Sequence, residues 1–189
     1  MGNTRLQWRG EINRDVLRET QQTVNLGLAL STWHYAQDLS AYSWGHGGYY
    51  SPQHYASLAL PLDWYGRHGL FSWQLRASAS VSQVSHKAMD FYPARPDLQA
   101  QALGQPAALA GSPSPVYAGS SSAASAYSLR GALEYQLTPK MALGTRLELD
   151  RTAYYAPTSL MFYVRYLFDP LRNIPLMDRP QPVQAYSRF

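Results

Sequence analysis

The sequence contains no cysteine, which excludes disulfide scaffolds, cysteine-ligated zinc, iron–sulfur clusters and thiol catalysis. Lysine is nearly missing too: Lys87 and Lys140 are the only lysines among 16 basic residues, the rest being arginine. No uninterrupted apolar run approaches the roughly 18 residues that a membrane-spanning helix needs, so helical membrane proteins are excluded. The net charge of +4 is not concentrated anywhere; the arginines are scattered singly, and no nucleic-acid partner is expected.

What is present is aromatic and alternating. The 189 residues are 46% apolar and include 15 Tyr, 5 Trp and 5 Phe, enough for one domain with a real core. In Leu70–Val84 the odd positions Phe71, Trp73, Leu75, Ala77, Ala79 and Val81 oppose the even positions Ser72, Gln74, Arg76, Ser78, Ser80 and Ser82. The same period of two runs through Leu6–Asn13, Val24–Tyr35, Tyr55–Trp64, Tyr127–Leu137, Met141–Asp150 and Leu160–Phe168. Seven β-strands, each with one apolar and one polar face, are predicted.

A soluble sandwich also alternates, but two features favour a transmembrane barrel. The predicted strands run to about 10 residues, the length that crosses a bilayer at a tilt. Their connections alternate between short (Gly66–Gly69, Thr138–Lys140) and long (Ala36–Gln53, Lys87–Ala124), the rhythm of periplasmic turns and extracellular loops. Trp33, Tyr35, Tyr55, Trp64, Phe71, Trp73, Tyr127, Tyr166 and Phe168 sit near strand ends, where interfacial girdles would place them. The expected fold is therefore all-β: an antiparallel up-and-down outer-membrane β-barrel over residues 1–168, partial because seven strands neither enclose an aqueous pore nor satisfy their two edges in lipid. The stretch 94–124, rich in Ala, Gly, Ser and Pro, is expected to be a mobile loop. With Pro170, Pro175, Pro180 and Pro182, residues 169–189 are expected to form an extended periplasmic or lumenal tail.

The most distinctive stretch is Trp44-Gly45-His46-Gly47-Gly48-Tyr49-Tyr50-Ser51-Pro52-Gln53. Its glycines permit positive φ and Pro52 stiffens the exit, which is a structural reading; Trp44, Tyr49 and Tyr50 could also stack on a sugar, with His46 beside them. No phosphate loop or GxSxG elbow occurs. His46, His54 and His68 are too dispersed for a metal, and no cofactor is expected. Glu148 and Asp150 share a polar face at a spacing that a glycosidase pair could use, but Arg130, Glu134 and Arg146 on the same faces suit a mixed-charge wall better. Together with Arg76 and Arg165 these side chains are the expected path for a neutral solute.

From Gly45-His46-Gly47-Gly48-Tyr49-Tyr50-Ser51-Pro52-Gln53 onward the sequence resembles the C-terminal barrel domain of the cellulose synthase operon protein C family. The likeness continues through Leu60-Pro61-Leu62, Phe91-Tyr92-Pro93, residues 127–135, Tyr154-Tyr155-Ala156-Pro157, residues 163–168 and Gln184-Ala185-Tyr186-Ser187-Arg188-Phe189. The resemblance implies a barrel of about 16 strands that passes a glucan through the outer membrane without catalysis. The implied partners are the cellulose chain, outer-membrane lipid, and an inner-membrane synthase reached through a periplasmic tetratricopeptide array. Because no such array or signal peptide is present, and because Trp8–Asp15 resembles a segment that normally lies further upstream, a truncated chain with barrel missing before Gln22 is expected. The rival readings are a small outer-membrane hydrolase with a Ser/His/acid set at one rim, a soluble sugar-binding sandwich, and a non-functional gene fragment.

Overall fold

The computed structural model describes residues 2–41, 48–104, 114–152, 155–168 and 179–180. Seven long strands form one sheet: β1 (Arg5–Arg18), β2 (Gln22–Tyr35), β3 (His54–His68), β4 (Phe71–His86), β7 (Ser120–Thr138), β8 (Met141–Arg151) and β9 (Thr158–Tyr166). Their spatial order is their chain order, an antiparallel meander. A two-stranded sheet of β5 (Met89–Asp90) and β6 (Val116–Tyr117), and one helix, α1 (Pro96–Gly104), lie between β4 and β7.

The seven expected strands are all present, and the short–long rhythm of their connections holds. The turn after β3 is tighter than expected: the strand runs on to His68 and reverses at Gly69-Leu70, with Gly69 at φ +59°, a conformation that its missing Cβ makes inexpensive. β1 and β2 join through Glu19–Gln21, a third tight connection. β7 begins at Ser120, seven residues before the predicted Tyr127. Ser120–Ala126 carries no apolar alternation, yet it pairs with the end of β4, where Gln83 Nε2 donates to Ser121 Oγ at 2.8 Å. The expected long loop thus also holds β5, α1 and β6.

By its internal packing the chain divides into two units, and the long strands β1–β4 and β7 each run through both. One comprises Met1–Gly10, Leu30–Ser57 and Ser82–Ala124. In it, Leu39 and Met89 are buried, and Gln99 fastens α1 to the β5–β6 hairpin. Its Nε2 donates to Pro115 O at 2.9 Å, while its Oε1 accepts from Tyr92 N at 3.1 Å. Proline at the first helical position begins α1 without leaving an orphan donor.

The other unit comprises Glu11–Ala29, Leu58–Val81 and Ser125–Phe189. Register fixes its faces: Leu133 opposes Thr145 and then Phe162, while Glu134 opposes Gly144 and then Tyr163. The apolar row is the exposed one. Leu60, Leu160, Phe162 and Val164 are at least 60% exposed, whereas Thr23, Ser72, Glu134 and Gln136 are buried. Among the described residues, the buried apolar side chains are Leu39, Met89 and Ala142, together with Pro52 and Pro180. A water-soluble sandwich would show the opposite, because burying apolar surface is what drives its folding. This inversion argues against the soluble rival.

One expectation about aromatics fails. Trp33, Tyr35 and Tyr55 alternate with the exposed Leu30, Thr32 and His34 on β2 and with Leu58 and Leu60 on β3, so they lie on the polar face. There Trp33 and Tyr55 stack at 3.6 Å and 8°. Trp64, Phe71, Trp73, Tyr127 and Tyr166 do share the apolar face.

Candidate functional site

Strand parity alone puts Arg130, Glu134, Arg146, Glu148 and Arg165 on one face of β7–β9, and cross-strand register brings them into contact. Arg130 opposes Glu148 and reaches Asp150 Oδ2 at 3.5 Å; Arg146 pairs with Glu148, and Ser159 Oγ donates to Glu148 Oε2 at 3.3 Å. Glu148 and Asp150 are thus tied up in ion pairs with Arg130 and Arg146, as a mixed-charge wall requires.

Glu134 is the centre of this wall. It is 2% exposed, and each oxygen has its own partner: Tyr163 Oη donates to Oε1 at 2.8 Å, and Arg165 Nη2 donates to Oε2 at 2.6 Å. A charge at this depth persists only when paired and hydrogen-bonded. Gly144 makes the arrangement possible. It stands between Glu134 and Tyr163 in the same row, and the tyrosine ring lies across it where a Cβ would be. Tyr163 was not singled out by sequence reasoning, since only the register shows that it meets Glu134, 29 residues away.

Arg76 belongs to a second set. Its Nε lies 3.7 Å from Asp63 Oδ1, which also accepts from Gln74 Nε2 at 3.0 Å. The other oxygen, Oδ2, faces Arg179 at 3.5 Å, and the Arg179 guanidinium lies 3.7 Å from the centre of the Tyr65 ring. Asp63, Tyr65 and Arg179 were also missed.

In the other unit the distinctive glycine-rich block splits in two. Trp44 and His46 fall outside the described residues. Ser51, Pro52 and Gln53 are fully buried and act as an anchor. Ser51 Oγ accepts from Leu39 N at 2.7 Å and donates to Tyr49 O at 2.9 Å; Gln53 Oε1 accepts from Lys87 N at 2.6 Å. Tyr49 and Tyr50 are exposed, Tyr49 edge-on to Tyr35 and Tyr50 edge-on to His86. The structural reading of this block therefore holds for its last three residues, while the two tyrosines are exposed.

A serine–histidine–aspartate cluster occurs here as well. His86 Nδ1 is 2.8 Å from Asp38 Oδ2 and 3.4 Å from Ser40 Oγ. A catalytic relay needs the carboxylate on one ring nitrogen and the hydroxyl on the other. Here both meet Nδ1, and the nearby Ser51 hydroxyl is buried in loop hydrogen bonds. This is the geometry of a loop clamp and gives the hydrolase reading no support. In α1, outside the long strands, the Asp97 carboxyl is lowered to about 2 by the hydrogen bond from the Arg95 guanidinium 2.6 Å away. Among the described residues no group of three His, Cys, Asp or Glu side chains is gathered that could hold a metal ion.

Comparison with known proteins gives one consistent answer. Residues 1–169 match the family model described as the C-terminus of cellulose synthase operon protein C. The cellulose synthase operon protein C of Escherichia coli K12 is 36% identical over 168 residues, covering 87% of this chain and 14% of that protein. That of Salmonella typhimurium is 35% identical over 190 residues, covering 98% and 15%, and that of Xanthomonas axonopodis pv. citri 36% over 164 residues, covering 82% and 11%. The chain thus spans about one seventh or less of the length of these relatives. The Salmonella alignment takes in nearly the whole chain within 190 positions, which leaves no room for the strand-length deletion expected before Gln22; β1 and β2 are instead a direct hairpin.

Proposed function

The chain belongs to the family of the cellulose synthase operon protein C C-terminus, and on that premise we propose that it forms part of the outer-membrane β-barrel pore that exports cellulose during its biosynthesis, as a conduit without catalysis. The observation that carries this reading is the inverted sheet: apolar side chains exposed on one face, the ion pairs Arg146–Glu148 and Arg165–Glu134 sheltered on the other. An apolar outer band facing lipid and a polar interior are what a transmembrane barrel presents. Charges of both signs, already neutralised in pairs, offer a glucan many weak hydrogen bonds and no deep trap. Tyr49 and Tyr50 lie on the long-loop side, the extracellular end in this orientation, where they offer stacking faces to an emerging chain. A periplasmic repeat domain would connect the pore to the inner-membrane synthase, and that link is carried by the family resemblance.

The test is made in the cell that encodes the chain. Outer-membrane fractions should retain the protein through an alkaline wash, and its deletion should abolish cellulose at the cell surface. Recovery in the aqueous fraction would overturn the membrane reading. Unchanged surface cellulose after deletion would overturn export.

A further inference from the structure

We infer that Tyr65 and Asp63 form a saccharide subsite on the polar face of β3 and that Arg179 of the C-terminal segment is its tethered occupant; the choice of ligand rests on the glucan-conduit reading. Arg179 reports the shape of the place it fills. A guanidinium is flat and weakly hydrated, and here it lies 3.7 Å over the phenol ring while one nitrogen reaches the neighbouring carboxylate. A pyranose ring in its chair form makes the same two demands: an apolar C–H face to stack on an aromatic ring, and equatorial hydroxyls at its rim to donate to a carboxylate.

The hydrogen bonding of Asp63 is divided in a way that suits exchange. Oδ1 is held by the β4 residues Gln74 and Arg76, which fix the carboxylate to the sheet. Among the described residues, Oδ2 faces Arg179 alone. Loss of Arg179 would therefore free one acceptor and one ring face together, without releasing the carboxylate from its mount. Reach is adequate. Arg179 follows Phe168 by eleven residues, a contour of about 35 Å. β9 and β3 are four strand spacings apart in the sheet, about 19 Å. Tyr65 stands three residues before the end of β3, beside the short-turn end of the sheet, so the subsite lies where a chain would first meet the polar face.

The occupant and a sugar compete for one place, so the apparent affinity for sugar falls by the fraction of time that Arg179 is seated. The test is binding of cellohexaose to the full 189-residue chain folded in detergent micelles, with folding checked by heat-dependent gel mobility. Arg179→Ala should bind about fivefold more tightly than the parent chain, the range expected when one exposed stacking contact and one exposed ion pair are removed. On that background Tyr65→Phe, which keeps the ring, should retain the gain, and Tyr65→Ala and Asp63→Asn should lose it. Equal or weaker binding by Arg179→Ala, or full binding after Tyr65→Ala, overturns the proposal. Surface cellulose is scored separately. A chain required for surface cellulose whose Arg179→Ala form shows no tighter binding refutes the subsite alone; the reverse result refutes the conduit alone.

Discussion

The hydroxyl of Tyr163 donates to Glu134 Oε1 at 2.8 Å by laying its ring across Gly144, the residue that separates them in one row of the sheet. Gly144→Ala therefore places a methyl group inside the tyrosine ring and forces that ring off the carboxylate. The expected loss is about 1–3 kcal/mol, the usual cost of overpacking, measured as a lower urea midpoint for the detergent-folded chain. Gly131→Ala is the control. The nearest atom to its new Cβ is Leu75 Cδ1 at 3.8 Å, so its midpoint should not fall.

Arg165→Ala should be more damaging than Glu134→Gln. The first leaves a carboxylate 2% exposed without the Arg165 guanidinium, at a cost of up to about 3–5 kcal/mol. The second removes the charge and keeps hydrogen-bonding capacity on both sides. The double variant should recover much of the Arg165→Ala loss, and a double-mutant cycle in urea measures the difference.

On β9 the consequence of a new charge depends on parity. Phe162 is 77% exposed on the apolar face, and Phe162→Arg should weaken insertion into lipid vesicles by about 2–4 kcal/mol if it meets mid-bilayer. Ser159→Arg, on the polar face beside Glu148, should insert as the parent chain does. Equal behaviour of the two variants would contradict a lipid-facing apolar surface.

The Asp97 carboxyl, lowered to about 2 by its hydrogen bond from Arg95, should titrate below the ordinary range near 3.9. Its depressed folded value means that the contact supports α1 fully above about pH 4 and is lost as the pH falls through about 2. The side-chain carboxyl resonance followed by NMR should give that low midpoint in the parent chain and a higher one in Arg95→Ala.

The strands were legible because a period of two is written into single residues: Phe71, Trp73 and Leu75 against Ser72, Gln74 and Arg76 need no partner to be read. The first seven residues of β7 were not, since Ser120–Ala126 offers only small side chains and is held by its pairing to β4. The face of Trp33 and Tyr55 followed from the same parity that assigned Leu26 and Leu28, but their position near strand ends drew the opposite conclusion. The wall of Arg130, Glu134, Arg146, Glu148 and Arg165 was readable as a set of residues on one face. Its pairings were not, because Glu134 meets Tyr163 and Arg165 only through a register spanning three strands. The Asp63–Tyr65–Arg179 contact had no signal at all, since it joins β3 to a segment more than a hundred residues later.

Seven is an odd number, and in a meander that makes β1 and β9 run the same way. Laying β9 against β1, whether of the same molecule or of a second upright copy, would create a parallel ladder, which short turns cannot connect and which no pair among the described strands uses. Antiparallel closure into an even-stranded ring demands an odd complement of further strands, the first and last of them running opposite to β1 and β9. Parity at the two edges thus selects the partner before any side chain does.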